Sequence, residues 1–265
     1  MILILICILI NLSEGFNIYP LNSNKLSIPA LITPMTNDMN IDYENLEKII
    51  DYTIKKGSDG IAILGSTGEG TVINNKERKK IIKTAKSITQ DNIPIIVGTG
   101  EINPYNVIYN TNIAKKCGAD IAMIISPYYV KPTQKGIINY YKIICENTNL
   151  PIIIYDCPSR TNSEMTSDTI LQISKNKNII GIKDSSGNID KMKIVRELCG
   201  DEFILLSGDD KTSFDFCANG GNGCISVIGN VYPKLVRDMI HLSEENPFVS
   251  FEIFEKLNRL NHFLE

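Results

Sequence analysis

The sequence contains few of the residues on which many catalytic and metal sites depend. Only two histidines, His241 and His262, occur in 265 residues, and both lie near the C-terminal end outside any motif. A histidine-based catalytic triad or a histidine-rich metal site is therefore not expected. The chemistry of this chain must come from lysine, tyrosine, hydroxyl or carboxylate side chains.

Other absences narrow the class of protein further. The seven cysteines include no CxxC pair, which argues against a zinc site and a disulfide framework and fits a reducing compartment. A net charge of −3 gives no basic face for nucleic acid, so no nucleic-acid partner is expected. With 43% hydrophobic and 22% charged residues, the composition is that of a globular chain long enough for a large core.

The N-terminal stretch Met1 to Leu12 is almost wholly apolar. It is too short to span a bilayer comfortably, it lacks the positive segment of a secretory signal, and Ser13-Glu14-Gly15 is a poor cleavage site. We interpret residues 1–25 as an N-terminal extension or a possible targeting segment. A cytoplasmic protein without membrane association is expected, with organelle targeting as the alternative if Met1–Leu12 belongs to a targeting segment.

From Leu26 onward, short apolar runs alternate with stretches of helical periodicity, as in the helix predicted after Asp42. Eight such units predict a parallel (β/α)8 TIM barrel over residues 26–245. A doubly wound open sheet is the alternative, but no GxGxxG follows the first strand. Residues 246–265 are expected to begin a truncated C-terminal helical region. The predicted strands cover residues 27–34, 60–64, 94–98, 120–126, 151–155, 179–183, 203–207 and 223–228.

The active site of such a barrel lies at the C-terminal ends of the strands, where several reactive side chains are predicted. Lys183 ends an uncharged strand, where desolvation lowers the pKa of an amine and frees the neutral nucleophile of a Schiff base. The alternative is a lysine that caps the strand in solvent. Tyr155 and Arg160 follow the fifth strand, and they suit proton transfer and carboxylate binding. Together these side chains indicate carbonyl chemistry.

Two glycine-containing loops leave alternatives open. Gly65-Ser66-Thr67-Gly68-Glu69 is either a tight turn or an anion cradle of backbone N–H groups, with Glu69 expected to serve the following helix N-terminus. It lacks the Lys-Ser/Thr ending of a nucleotide-binding loop. Asp209 and Asp210 suggest a divalent ion, yet two adjacent aspartates without further ligands make a poor metal cage. No metal site is predicted.

Four motifs together carry a family resemblance. They are Gly65-Ser66-Thr67-Gly68-Glu69, Tyr155-Asp156-Cys157-Pro158-Ser159-Arg160-Thr161, Gly181-Ile182-Lys183-Asp184 and Gly223-Cys224-Ile225-Ser226-Val227. Their order and spacing resemble those of the dihydrodipicolinate synthase / N-acetylneuraminate lyase family of Schiff-base aldolases, and the match covers roughly residues 27 to 264.

The resemblance implies a role for individual residues. Lys183 would form the imine with pyruvate and Tyr155 would transfer protons. Ser66 and Tyr129 would complete a relay, with Tyr129 reaching in from a neighbouring subunit of a homo-oligomer, a dimer or tetramer. The substrate-binding residues would be Thr67, Arg160 and Ile225, the last through its backbone.

The motif that contains Arg160 resembles that of the synthase branch of the family. This resemblance implies an enzyme that condenses pyruvate with L-aspartate 4-semialdehyde in lysine and diaminopimelate biosynthesis and that uses no cofactor. The alternatives are a retro-aldol lyase acting on N-acetylneuraminate or a 2-keto-3-deoxy sugar acid, and a non-catalytic degenerate barrel. Asp156 replaces the usual asparagine and is expected to add negative charge near the site, while Ser66 does not separate the branches. The polar set that binds feedback lysine is not seen around Asn75, Arg78, Ile102 and Asn106, so weak or no inhibition by lysine is predicted.

Overall fold

The computed structural model describes Leu21 and residues 25–261 of the chain. Within these residues, eight strands alternate with helices, and two helices follow the fifth strand. The strands are β1 Leu26–Pro29, β2 Ile61–Ile63, β3 Ile95–Gly98, β4 Ile121–Ile125, β5 Ile152–Asp156, β6 Ile179–Asp184, β7 Ile204–Ser207 and β8 Gly223–Ser226. The helices are α1 Tyr43–Lys55, α2 Asn75–Thr89, α3 Pro104–Cys117, α4 Gln134–Asn147, α5 Pro158–Thr161, α6 Ser167–Ser174, α7 Ile189–Cys199, α8 Ser213–Ala218, α9 Pro233–Glu245 and α10 Pro247–Asn261.

All strand pairs are parallel, and the sheet order is β1-β8-β7-β6-β5-β4-β3-β2. The remaining gap between β1 and β2 is bridged just beyond β1, where Ala30 pairs with Ala62 in parallel. The Leu31 N–H donates to the Ala62 carbonyl over 2.8 Å. The sheet thus curls into a nearly closed ring with helices outside it, which confirms the predicted (β/α)8 barrel.

Strand residues alternate between two hydrophobic layers because neighbouring side chains point to opposite faces of the sheet. Ile153 on β5 and Leu206 on β7 belong to the cluster inside the barrel, together with Leu21. Ile152 and Ile154 belong to the layer between strands and helices. A separate cluster joins α8, α9 and α10. The fully apolar strands predicted from the sequence are therefore buried on both faces, as a parallel sheet requires.

Most helix starts follow from local sequence. Asp42 caps α1 as predicted, because its carboxylate accepts the Asn45 N–H over 3.0 Å. At α2, Asn74 and Glu77 form a reciprocal capping box. Glu69, expected at this helix N-terminus, is instead exposed in the preceding loop, so that expectation was wrong. The short helix α5 was missed, because four residues are too few to show a helical period.

Residues 26–245 contain the eight strands and helices α1 to α9, and α10 follows them. Most of the predicted extension over residues 1–25, including the suggested targeting segment Met1–Leu12, lies outside the described residues. The last four residues of the predicted C-terminal region, 262–265, lie outside them as well. Among the residues described, no helix combines the length and apolar character needed to cross a bilayer.

Candidate active site

Tyr155 and Lys183 lie side by side at the C-terminal end of the barrel. They are register partners on β5 and β6, and both side chains enter the barrel interior. Lys183 is only 6% exposed, and its Nζ lies 4.3 Å from the centroid of the Tyr155 ring. The strand pairing therefore brings a buried amine and a buried phenol together at one cavity.

Gly208, immediately after β7, makes room for the lysine. A Cβ at this position would lie 2.5 Å from Lys183 Cε and 2.1 Å from Ser185 Oγ. Real Cβ atoms do not approach other atoms so closely, so any larger residue would displace the lysine or the serine. The glycine is thus required by the close approach of the β6 side chains.

Burial changes the proton affinity of the amine. The pKa of Lys183 is lowered from 10.5 to about 8, mainly by desolvation and in smaller part by the Arg160 cation, while Cys224, Cys157 and Asp210 limit the decrease. At pH 7 this leaves about one amine in ten neutral, against about one in three thousand for an ordinary lysine. The site therefore supplies a neutral amine nucleophile near neutral pH.

Tyr155 remains a phenol over the same pH range. Burial raises its pKa, the neighbouring Cys157 raises it further, and Ser185 and Arg160 lower it. A protonated phenol beside a neutral amine can donate a proton to an oxygen and accept one in return. This pair of groups suits proton transfer at a carbonyl.

The loop that carries Ser66 and Thr67 is held in a strained turn. Leu64, directly after β2, has a φ of 56°, which is rare for a residue with a branched side chain. Its carbonyl lies so close to two glycines that a Cβ on Gly70 or Gly98 would approach it to 2.0 or 2.1 Å. Buried Arg78 donates to the carbonyls of both glycines, over 2.6 Å and 2.8 Å respectively. The turn thereby presents two hydroxyl residues to the barrel mouth, a place where backbone strain commonly accompanies function.

A cavity of about 480 Å³ unites most of the predicted site residues. Five of the seven line it: Ser66, Thr67, Tyr155, Arg160 and Lys183. The other residues of its wall are Cys157, Ser159, Ser185, Gly208, Asp209, Asp210, Lys211 and Val227.

Two predicted site residues do not line this cavity. Tyr129 is 89% exposed and lies in the left-handed backbone region, with φ at 69°. Ile225 is 1% exposed and packs within the barrel interior on β8, where the cavity wall is formed by Val227 instead. Within the described chain, the relay and the backbone contact assigned to these two residues therefore stay predictions.

Sequence reasoning missed several residues of the cavity wall. Ser185 stands two positions after Lys183, and the period of a strand would have placed it on the same side. Its hydroxyl lowers the pKa of Tyr155, yet no described group meets its buried Oγ with hydrogen-bond geometry. Cys157, which is 3% exposed, stands two positions after Tyr155, so the period of a strand would have placed it on the same side as Tyr155.

The two acidic positions considered as metal ligands have other roles. The Asp210 carboxylate accepts the N–H groups of Val227 and Ile228 over 2.8 and 3.0 Å, which ties the β7 and β8 loops together. Asp209 accepts the Lys211 N–H over 3.1 Å in its own turn. Among the described residues, no group of three or more His, Cys, Asp and Glu side chains is placed to hold a metal ion.

Asp156 does not face the cavity, contrary to the expectation that it adds charge near the substrate. It is fully buried on the opposite face of β5, where Lys191 donates to its carboxylate over 2.6 Å. Burial raises the pKa of Asp156 to about 6, and Lys191 limits the increase. Because Tyr155 points inward, strand alternation directs its neighbour outward.

A second cavity of about 350 Å³ lies beside the α2 N-terminus and α3. Three of the four positions examined for lysine binding line it, namely Asn75, Arg78 and Asn106, while Ile102 does not. The carboxylate in its wall belongs to Glu101.

A (β/α)8 barrel with a buried, low-pKa lysine at the C-terminal end of its sixth strand defines a class of enzymes that work on carbonyl substrates. The model of the "Dihydrodipicolinate synthetase family" matches residues 23–265.

Individual relatives agree with that match. The chain is 43% identical over 208 residues to the 4-hydroxy-tetrahydrodipicolinate synthase of Coxiella burnetii (strain RSA 493 / Nine Mile phase I), covering 78% of this chain and 71% of the relative. It is 42% identical over 213 residues to the synthase of the same name from Neisseria meningitidis serogroup B, covering 80% and 73%. The crystal structure of the chloride-inhibited dihydrodipicolinate synthase from Acinetobacter baumannii, complexed with pyruvate, superposes with a TM-score of 0.88 at 33% identity, covering 91% and 84%. The chain belongs to the dihydrodipicolinate synthetase family. The members of this family to which it is similar are enzymes of the lyase type.

Proposed function

We propose that this chain condenses pyruvate with L-aspartate 4-semialdehyde to 4-hydroxy-tetrahydrodipicolinate, a step of lysine and diaminopimelate biosynthesis. The observation that carries the proposal is the Lys183 amine, buried and lowered in pKa to about 8, beside the Tyr155 ring in a cavity that also contains Arg160. The names of the similar synthases supply the product, and the similar Acinetobacter baumannii structure is a complex with pyruvate.

The first half of the reaction uses Lys183 and Tyr155. The neutral amine attacks the ketone carbon of pyruvate, and loss of water from the adduct leaves a protonated imine. Tyr155 supplies and takes up the protons that these steps require, with Ser66, which lines the same cavity, as a partner of the relay. The imine withdraws electrons, so the methyl group loses a proton and becomes an enamine carbon nucleophile.

The second half forms the carbon–carbon bond. The enamine carbon attacks the aldehyde carbon of aspartate semialdehyde, whose oxygen takes a proton from the Tyr155 side. The amino group of that substrate then attacks the imine carbon, which closes the ring and releases the Lys183 amine. Arg160, exposed at the cavity mouth, binds the carboxylate of the incoming aldehyde, and Thr67 binds that of pyruvate. The protonated imine is the electron sink, so we assign no metal or organic cofactor.

The retro-aldol alternative is less well supported. A polyhydroxyl sugar acid calls for neutral hydrogen-bond donors, whereas Arg160 provides a charged donor suited to a carboxylate. The similar curated proteins bear the name of the synthase rather than that of a lyase acting on sugar acids. An intact lysine and phenol in the cavity also disfavour a degenerate barrel.

We further propose a homo-oligomer, a dimer or tetramer, with Tyr129 near a subunit interface. Tyr129 is 89% exposed beside Val130, which is 53% exposed, and aromatic side chains are enriched at protein–protein interfaces. Because Tyr129 follows β4 at the rim of the active-site face, a neighbouring copy docked there would bring it close to a cavity.

Borohydride trapping tests the proposal directly. Wild-type protein is incubated with pyruvate, reduced, and analysed by intact mass and peptide mapping, with Lys183→Arg as the control. A reduced pyruvate adduct on the peptide of Lys183 supports the imine, and turnover of added aspartate semialdehyde supports the synthase. A folded protein that forms no adduct would contradict the proposal, and an adduct with turnover only of a sugar acid would favour the lyase.

A further inference from the structure

The ends of β5 and β6 carry charge on the face opposite the cavity. Asp156 and Asp184 are register partners, one step beyond the pair Tyr155 and Lys183. Both carboxylates are buried, at 0% and 6% exposure. Like charges opposite one another on neighbouring strands repel, and burial strengthens the repulsion. The backs of the two strands that hold the catalytic pair would therefore separate if nothing neutralised them.

One cation lies between these carboxylates. Lys191 Nζ is 2.6 Å from Asp156 Oδ2, 3.3 Å from Asp184 Oδ2 and 3.2 Å from Glu164 Oε1. The Lys191 side chain is 7% exposed, and its two aspartate partners are buried as well, whereas Glu164 is half exposed. Counted as one positive and three negative charges, the cluster carries −2, and among the residues that the structure describes the Lys191 ammonium is its one cation.

The position of Lys191 in its helix argues for a specific role. Asn188 caps α7 and accepts the Lys191 N–H over 3.0 Å, which makes Lys191 the third residue of the helix. A cation in the first turn is opposed by the helix dipole, and a buried lysine loses its hydration. The neighbouring carboxylates nevertheless raise the pKa of Lys191 above its ordinary value. The Lys191 ammonium therefore remains charged at a position where only its carboxylate partners stabilise a positive charge.

We propose that Lys191 is a positioning residue of the condensation: by neutralising Asp156 and Asp184 behind the sheet, it fixes the relative placement of Tyr155 and Lys183 in front of it. The inference rests on the proposed function, because its main readout is the condensation rate. Lys191 does not line the cavity, so we place its effect in the two strands that carry its aspartate partners. A displacement of about 1 Å between reacting groups can cost two orders of magnitude in rate.

The proposal predicts a characteristic dependence on pH. In Lys191→Met, Asp156 faces Asp184 on β6, Glu164 from the loop before α6 and Tyr141 on α4, with no cation among them. The pKa of Asp156 then rises further, so more of its carboxyl is protonated at about pH 6 than at about pH 8.5. The kcat of Lys191→Met, relative to wild type at the same pH, should fall by about tenfold or more at the higher pH and by much less at the lower one.

A second substitution separates charge neutralisation from simple packing. Lys191→Met changes the charge of the cluster from −2 to −3, and adding Asp156→Asn returns it to −2. The double variant should therefore recover most of the wild-type kcat and lose the added pH dependence. Lys191→Arg, which keeps the charge, should retain activity. Lys193→Met, on the exposed face of the same helix, is the matched control and should match wild type.

The experiment measures kcat and KM for both substrates at about pH 6 and about pH 8.5, together with thermal unfolding and borohydride trapping of pyruvate. We expect trapping on Lys183 to persist in Lys191→Met while kcat falls. A kcat within twofold of wild type at both pH values would overturn the proposal, as would a loss that is independent of pH and not rescued by Asp156→Asn. If Lys191→Met fails to fold, the test moves to the double variant of Lys191→Met with Asp156→Asn, which should fold and turn over. A double variant that does not fold or turn over, while Asp156→Asn alone folds, would also overturn the proposal. Wild type that neither traps pyruvate nor condenses the substrates would instead refute the proposed function.

Discussion

Replacing Lys183 by methionine is expected to abolish condensation and at the same time to stabilise the fold. Methionine has a similar length and no charge, so it can occupy the space beside Gly208 without the desolvation that the ammonium suffers. Trapping of pyruvate at position 183 and turnover should both be lost, because methionine has no amine with which to form the imine. Stability should change in the opposite direction to activity.

The magnitude follows from the pKa of Lys183, which burial lowers from 10.5 to about 8. The unfolded chain binds the proton more tightly than the folded one, so the folded state is disfavoured by the full difference below about pH 8. At 1.36 kcal/mol for each pKa unit, this cost is about 3 kcal/mol. Between about pH 8 and pH 10.5 the unfolded state alone holds the proton, so the stability of wild type rises with pH and the advantage of methionine shrinks.

Equilibrium unfolding in urea, followed by circular dichroism at about pH 7 and about pH 9.5, measures both effects. Lys183→Met should exceed wild type by up to about 3 kcal/mol at the lower pH and by clearly less at the higher one. Lys193→Met, an exposed lysine on α7, is the control and should show no such gain. A variant less stable than wild type at pH 7, or a gain equal at both pH values, would show that the Lys183 amine is not desolvated in the folded protein.

Four further outcomes test the site. Tyr155→Phe should lower kcat by about 10²- to 10⁴-fold, measured in steady state, while pyruvate can still be trapped; unchanged kcat would remove Tyr155 from proton transfer. Arg160→Gln should raise the KM for aspartate semialdehyde by about 10- to 100-fold without reducing pyruvate trapping, and an equal effect on both substrates would contradict the assigned role. Gly208→Ala should reduce trapping sharply in a protein that remains folded by circular dichroism, since the added methyl would lie 2.5 Å from Lys183 Cε; normal trapping rates would argue against that close approach. Lysine added to the assay is predicted from the sequence to inhibit weakly or not at all; strong inhibition at low lysine concentration would refute this and would point to the polar second cavity beside Asn75 and Glu101.

Local sequence predicted much of the architecture. Continuous apolar runs gave the strands, helical spacing gave the helices, and their alternation gave the parallel barrel, because these patterns depend on residues close together in the chain. The same reasoning predicted that Lys183 and Tyr155 would meet, since both end strands whose C-terminal ends share one face. Helix α5 was missed because it is a single turn, whose hydrogen bonds leave no periodic trace in the sequence.

The tertiary structure decided what surrounds those residues. Lys183 has a low pKa because burial in the packed barrel desolvates its amine, and Gly208, just after β7, makes the space. Asp156 lies outside the substrate cavity and against Lys191, 35 residues along the chain, which no local pattern could show. The sequence by itself determined which groups end the strands, because strand and helix periods are local. Their exposure, pKa values and ionic partners depend on distances between remote segments, and only the folded barrel sets these.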